Sequence, residues 1–108
     1  MTVRHVLFIC GKNRRRSPTA EQIFANHPGI DVASAGLSTD ADVILTPELV
    51  DWADLIFVME KAQRSKLSAQ FKPSLKGTRV ICLDIPDRYA FMAPELITLL
   101  RSKVERHL

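Results

Sequence analysis

Cys10 and Arg16 are separated by five residues in the run Cys-Gly-Lys-Asn-Arg-Arg-Arg-Ser, which is a C-x5-R-S pattern. A segment of this length can curl so that its N–H groups surround one tetrahedral oxyanion, with the sulfur beneath the centre. The guanidinium of Arg16 can then bind two phosphate oxygens bidentately. A thiolate in this place can attack phosphorus and form a phosphocysteine, while the loop stabilises the charge on the equatorial oxygens. The spacing therefore predicts cysteine-dependent chemistry on a phosphate monoester.

The residues around this pattern indicate how it is positioned. An apolar run at 6–9 ends on Cys10, as in a buried strand, and Ser17-Pro18 is typical of a capped helix start. A helix N-terminus and a cluster of cations attract an anion, and the same field helps a thiol to ionise. Ser17 can also donate its hydroxyl to the sulfur. The predicted phosphate-binding residues are Gly11, Lys12, Asn13, Arg14, Arg15, Arg16 and Ser17.

A carboxylic acid is needed opposite the thiolate, because a leaving alkoxide or phenoxide must be protonated. The loop that follows the fourth predicted strand offers Asp87, with Asp84 as the second choice. Asp87 is alternatively a loop or helix-capping carboxylate, and Asp84 is alternatively a residue that orients the loop. A cysteine that ends a buried strand, such as Cys10, is alternatively a small core residue, which is the interpretation we give to Cys82.

The composition indicates one small globular domain over residues 1–108, with 46% apolar and 25% charged residues. The net charge of +3 is concentrated at residues 12–16, which favours a local anion site over a nucleic-acid surface. No apolar stretch approaches the roughly 20 residues of a membrane span, and no signal peptide is recognisable. Two cysteines in separate strands do not form a disulfide framework, so we expect a reducing, cytoplasmic setting. No set of residues has metal-ligand spacing, and no cofactor is expected.

Strands and helices alternate along the chain. Strands are predicted at 3–9, 30–34, 55–59 and 79–85; helices are predicted at 18–26, 47–52, 60–71 and 94–108, the first two capped by Ser17 and Thr46. This alternation predicts a doubly wound α/β domain with a four-stranded parallel sheet and helices on both faces. Sites in such sheets lie beyond the carboxyl ends of the strands, so Cys10, Ser34, Glu60 and Asp87 are expected on one rim. Glu60 is otherwise a charge at a helix start.

Four segments together resemble the low-molecular-weight protein tyrosine phosphatases. The run FICGKNRRRSPTAE resembles the phosphate-binding loop of that family, and VASAG at 32–36 is similar to its second strand. DLIFVME at 54–60 is similar to its third-strand motif. DIPDRY at 84–89 resembles its acid loop, D-x-P-D-P-Y, with Arg88 in place of the second proline.

The resemblance implies a role for each matching residue. Cys10 is the nucleophile, Arg16 holds the phosphate and Asp87 is the general acid. The supporting residues are Asn13, which braces the loop, Ser17, which tunes the thiolate, Ser34, which supports the loop, and Tyr89, which flanks a phosphotyrosine ring. The expected substrate is a phosphorylated protein or small phosphoester, and inorganic phosphate or sulfate is expected to occupy the loop.

The departures from the family define the alternatives. The region around 37–50 is shorter than in the family, Arg15 replaces a second loop cysteine, and Arg14 stands where an apolar residue is usual. A more cationic and open site leaves a second hypothesis, a catalytically weak protein that binds a phosphorylated ligand, a nucleotide or a nucleic-acid backbone. Arsenate reduction is a third hypothesis, although the extra cysteine pair of such reductases is missing. The oligomeric state is left open.

Overall fold

The computed structural model describes residues 3–108. The elements in chain order are β1 (Arg4–Cys10), α1 (Arg16–Phe24), β2 (Ile30–Gly36), α2 (Pro47–Trp52), β3 (Leu55–Val58), α3 (Lys61–Leu75), β4 (Arg79–Cys82) and α4 (Pro94–Val104), followed by a 3₁₀ turn at Glu105–His107. All strand pairs are parallel and their order in the sheet is β2-β1-β3-β4. The predicted four-stranded parallel sheet is therefore confirmed.

Two apolar cores lie on opposite faces of the sheet, because successive side chains of β1 alternate between them. Val6 and Phe8 face the core that α1 and α4 cover, whereas Leu7 and Ile9 face the core under α2 and α3. All four of these side chains are fully buried. The central position of β1 explains its continuous apolar run, and the predicted helices on both faces are confirmed. None of the helices within residues 3–108 is long and apolar enough to cross a membrane.

The helix boundaries differ from the prediction in α1, α3 and α4. The predicted helix to residue 108 is too long, because α4 ends at Val104. α1 begins at Arg16, so the prediction that Ser17 caps this helix is wrong, and no side-chain cap is formed at Arg15. The hydroxyl of Ser17 instead contacts Cys10. α3 continues past Pro73 to Leu75, with a kink at Phe71, whose φ and ψ are −125° and 21°. Proline lacks an N–H and clashes with the preceding turn, which accounts for the kink.

The ends of the strands also differ from the prediction. β2 runs on to Gly36, which pairs with Cys10. β4 ends at Cys82 because Asp84 adopts a left-handed backbone with φ 54°, so the predicted strand to residue 85 is too long. The chain still follows β3 beyond this point, since Leu83 N–H donates to Val58 O at 2.9 Å. Cys82 thus lies at the end of β4 and not in mid-strand, and it is half-buried and packs against the core under α2 and α3.

Candidate active site

The segment between β1 and α1 forms a tight loop around the sulfur of Cys10. Asn13 adopts a left-handed backbone with φ 57°, a conformation that asparagine tolerates better than most residues. This turn directs the N–H of Asn13 to Cys10 Sγ at 3.2 Å. Among residues 3–108, no acceptor is found for the N–H groups of Gly11, Lys12, Arg14 and Arg15. The loop therefore keeps backbone donors available for an anion.

A directed relay of hydrogen bonds holds the loop beneath the sulfur. A carboxylate only accepts, so Ser34 Oγ donates to Glu21 Oε1 and is left to accept from Asn13 Nδ2 at 2.9 Å. Asn13 Nδ2 also donates to Ser17 Oγ at 2.9 Å. Ser17 Oγ lies 2.9 Å from Cys10 Sγ, and when the sulfur is a thiolate the hydroxyl is the donor of this pair. Ser17 and the Asn13 N–H both stabilise negative charge on this sulfur.

Residues 37–45, which we name the latch segment, hold the outer side of the loop. Its N–H groups donate to consecutive loop carbonyls: Leu37 to Cys10 at 3.1 Å, Ser38 to Gly11 at 2.9 Å and Asp42 to Lys12 at 3.1 Å. Because the latch segment binds these carbonyls from outside the loop, we infer that the loop amides are turned towards the interior of the loop.

Gly36 makes the close approach of the latch segment possible. A Cβ at this position would lie 2.6 Å from Ala41 Cβ and 2.6 Å from Gly11 O, both too short for any contact. Gly36 also pairs with the latch segment on both sides, with its N–H donating to Val43 O and its carbonyl accepting from Leu45 N–H. The glycine is therefore required by space, not by its backbone angles.

Two of the loop cations are paired with carboxylates of the latch segment. Lys12 Nζ lies 3.3 Å from Asp40 Oδ2, and Arg14 Nε lies 3.2 Å from Asp42 Oδ1. Hydrogen bonds from Ser38 and then Lys12 lower the pKa of Asp40. Within the described residues, Arg15 has no such partner and remains exposed. The apparent excess of charge in the sequence is thus reduced by the latch segment.

Arg16 is 3% exposed, and its guanidinium is held at the edge of the loop. Nη1 donates to Glu60 Oε1 at 2.7 Å and to Ile85 O at 2.6 Å. Nε is buried and has no hydrogen-bond partner within residues 3–108, while Asp87 Oδ1 lies 3.7 Å away. A buried donor without an acceptor is unfavourable, and an oxyanion in the loop would supply the missing acceptor.

The loop opens into a cavity of about 660 Å³, which we name the loop pocket. Its lining consists of Cys10, Gly11, Lys12, Arg14, Arg15, Arg16, Glu60, Gln63 and Asp87. Asp87 reaches it from the loop after β4 and its side chain is 56% exposed. A thiol, a buried arginine and an accessible carboxylate therefore share one cavity at the carboxyl end of the sheet, as predicted for this rim.

Comparison with known proteins identifies solved structures that share the fold of this chain. No protein-family model and no curated protein matches the sequence. Wzb of Vibrio vulnificus, solved with benzylphosphonate, is 25% identical, with 97% of each chain covered and a TM-score of 0.78. The tyrosine phosphatase Wzb from Escherichia coli K30, solved with phosphate, is 23% identical over 98% of this chain and 96% of that chain, with a TM-score of 0.78.

A third structure, the YwlE arginine phosphatase from Geobacillus stearothermophilus, is 23% identical over 96% of this chain and 92% of that chain, with a TM-score of 0.72. The chain has the fold of the low-molecular-weight tyrosine phosphatases. The resemblance stated from the sequence is confirmed at the level of the fold.

Asn13, Ser17 and Ser34 support the loop through their hydrogen bonds and do not line the loop pocket. Two further residues expected at the site, Tyr89 and Asp84, lie away from the loop pocket. Tyr89 is half-buried against the core under α1 and α4, with the Arg88 guanidinium 5.5 Å from its ring centroid. Asp84 lines a separate cavity and accepts a hydrogen bond from Cys82 at 3.4 Å. The structure therefore does not bring Tyr89 to the pocket wall or Asp84 to a position beside the sulfur. Among the two acids, only Asp87 lines the loop pocket.

Gln63 is the residue of the loop pocket that the sequence analysis missed. It lines the cavity, and its Oε1 accepts from the N–H groups of Met59 and Glu60 at 2.9 and 3.0 Å. Glu60 and Gln63 form a capping box at the start of α3, and the E-x-x-Q spacing was the available signal. Glu60 therefore combines the predicted helix-start role with a contact to Arg16.

Proposed function

We propose that this protein is a cysteine-dependent phosphomonoester hydrolase of the protein tyrosine phosphatase type, acting through a phosphocysteine intermediate. The observation that supports it most concerns Arg16, which lines the same cavity as Cys10 and whose buried Nε lacks an acceptor. A donor of this kind is satisfied when a phosphate oxygen occupies the loop. The donors on Cys10 Sγ add the second requirement, a stabilised nucleophile.

In the first step, the Cys10 thiolate attacks phosphorus and an S–P bond forms while the P–O bond to the leaving group breaks. The loop amides and Arg16 stabilise charge on the three equatorial oxygens. Asp87, 3.7 Å from Arg16 Nε and well exposed, donates a proton to the leaving oxygen. The leaving group departs as a neutral alcohol or phenol.

In the second step, water attacks the phosphocysteine and the Asp87 carboxylate accepts its proton. The S–P bond breaks and inorganic phosphate is released. The sulfur departs as a thiolate, which the Ser17 hydroxyl and the Asn13 N–H stabilise. The relay from Glu21 through Ser34 and Asn13 supplies the Ser17 oxygen with a donor, so that the Ser17 hydroxyl can donate to the sulfur as it departs.

The substrate we propose is a phosphorylated protein, with small phosphoesters as further substrates and inorganic phosphate or sulfate as occupants of the loop. Neighbours of this fold were solved with phosphate, benzylphosphonate and sulfate. A reduced thiol is needed at Cys10, which favours a cytoplasmic location. Cys82 lies outside the loop pocket, so no second thiol of the described chain is placed there for arsenate reduction.

A second candidate substrate is a phosphorylated arginine side chain, as in the arginine phosphatase YwlE. No aromatic side chain among residues 3–108 lines the loop pocket, and the exposed Asp87 carboxylate suits a cationic guanidinium leaving group. Parallel assays with phosphotyrosine and phosphoarginine peptides distinguish the two.

The decisive experiment is hydrolysis of an aryl phosphate by wild type, Cys10→Ser and Asp87→Asn between about pH 5 and pH 7. We expect turnover in wild type, none in Cys10→Ser, and a loss of about 10²- to 10⁴-fold in Asp87→Asn. Wild-type turnover no higher than that of Cys10→Ser would refute the proposed phosphatase activity. If phosphate still bound in that case, the protein would be the binding protein of the second hypothesis.

A further inference from the structure

A second open cavity of about 710 Å³ lies beside the free edge of β4, and we name it the β4 groove. α3 contributes Lys61 and Arg64, β4 contributes Arg79, Val80 and Cys82, and the turn after α4 contributes His107. The loop pocket and the phosphatase chemistry proposed above use none of these side chains.

The β4 groove carries a net positive charge, since Lys61, Arg64 and Arg79 line it against the one lining carboxylate, Asp84. Within residues 3–108, Lys61, Arg64 and Arg79 have no carboxylate within 4.0 Å, in contrast to Lys12 and Arg14 of the loop. Burial first, and then the charges of Arg79 and Arg106, lower the pKa of His107. An anionic partner is the occupant that this field favours.

The backbone of β4 indicates that this partner is an extended peptide. Among the described strands, β4 pairs only with β3 and is an edge strand. Leu83 N–H donates to β3, so the alternation along the strand turns the polar backbone groups of Val80 and Cys82 to the open edge. Unpaired groups of this kind bind an extended peptide by strand addition. A nucleic acid offers no matching backbone ladder, so a peptide is the better fit.

The β4 groove adjoins the loop pocket. At the start of α3, Glu60 and Gln63 line the loop pocket, while their chain neighbours Lys61 and Arg64 line the β4 groove. The loop after β4 connects the cavities in the same way, with Asp84 in the groove and Asp87 in the pocket. One extended chain can therefore place a phosphorylated residue at Cys10 and flanking residues along β4.

We propose that the β4 groove docks an acidic, extended segment of the phosphoprotein substrate, which adds to β4 as a strand beside Arg64 and Arg79. This inference rests on the proposed function and assigns substrate choice to a surface outside the loop pocket. It accounts for a pocket whose described lining has no aromatic wall, since selectivity then comes from flanking residues.

The kinetic test uses two phosphotyrosine peptides that differ only in flanking Glu or Ser residues, together with an aryl phosphate. We expect wild type to favour the acidic peptide by about tenfold in kcat/KM, mostly through KM, and added salt to reduce the preference. Arg64→Glu/Arg79→Glu removes this preference and leaves aryl phosphate turnover within about twofold of wild type. The matched control is Lys66→Glu/Lys72→Glu on α3, outside both cavities, which keeps the preference.

A binding assay separates this proposal from the proposed function, because it needs no turnover. Fluorescence anisotropy with an unphosphorylated Glu-rich peptide should show binding by wild type and by Cys10→Ser, and a loss of about tenfold or more in Arg64→Glu/Arg79→Glu. Peptide binding without aryl phosphate hydrolysis would refute the proposed phosphatase activity and still support the assignment of the β4 groove as a peptide site. Equal loss in the control variant, no acidic preference, or tighter binding of a single-stranded oligonucleotide of equal charge would overturn the groove assignment.

Discussion

Glu60 Oε1 lies 2.7 Å from Arg16 Nη1, so a carboxylate at the start of α3 holds a guanidinium at the start of α1. The arginine side chain is 4% exposed and the glutamate 42% exposed. The carboxylate therefore compensates a buried cation while remaining in contact with solvent. With Nη1 occupied by Glu60 and Ile85 O, Nε has no hydrogen-bond acceptor among residues 3–108 and is available to the proposed phosphate.

Glu60→Gln should weaken phosphate binding because it removes the charge that orients Arg16. A hydrogen bond between charged groups contributes about 1.5–3 kcal/mol, so we expect KM for an aryl phosphate and the inhibition constant of phosphate to rise about tenfold or more. Steady-state kinetics measures both constants. Glu48→Gln, an exposed change on α2, is the control, and an unaltered inhibition constant in Glu60→Gln would contradict this role.

Ser17→Ala should slow the second chemical step more than the first. The variant lacks the hydroxyl 2.9 Å from Cys10 Sγ, so the departing thiolate loses one of its donors. A loss of about 1.5–3 kcal/mol corresponds to a 10- to 100-fold lower kcat, with a burst of phenol as phosphocysteine accumulates. Stopped-flow measurements detect the burst. Ser65→Ala on the exposed side of α3 should behave as wild type, and a Ser17→Ala enzyme without a burst would exclude the role in this step.

Gly36→Ala should destabilise the loop and the latch segment together. The added methyl would meet Ala41 Cβ and Gly11 O at 2.6 Å, and overpacking of this kind costs about 1–3 kcal/mol. Thermal unfolding should show a lower Tm, and aryl phosphate turnover should fall because the loop carbonyls lose their partners. Gly11→Ala is the control for stability, since a Cβ there meets nothing within 4 Å. A Tm equal to that of wild type would show that the latch segment can move away without cost.

The fold was predictable because the strands of a parallel sheet carry strong local signals. The apolar run of β1 and the capped start of α2 at Thr46 are both found as predicted. One boundary failed because of a tertiary contact and another because of the local backbone conformation. Serine is a favoured capping residue, yet the hydroxyl of Ser17 is hydrogen-bonded to Cys10. Asp84 ends β4 early through a left-handed backbone conformation that no residue pattern predicted.

The site was predictable where its parts follow one another in sequence, as in the loop from Cys10 to Ser17. Contacts between segments that are far apart in the sequence were not predictable. The pairing of Lys12 with Asp40 and of Arg16 with Glu60 depends on where the latch segment and α3 fold back onto the loop. The family resemblance implied that Tyr89 flanks a phosphotyrosine ring, whereas its ring packs against the core.

The two cysteines should differ in their response to alkylation, because only one lines the loop pocket. Burial is the main cause that raises the pKa of Cys82, so its thiolate fraction at neutral pH is small and its labelling by iodoacetamide should accelerate about tenfold per pH unit from pH 7 to pH 8. Inorganic phosphate should slow the labelling of Cys10, which it covers, and leave Cys82 unchanged. Mass spectrometry of Cys82→Ser and Cys10→Ser follows each thiol by itself. Protection of Cys82 by phosphate would place the anion site in the β4 groove, and labelling of Cys82 that ignored pH would contradict the raised pKa.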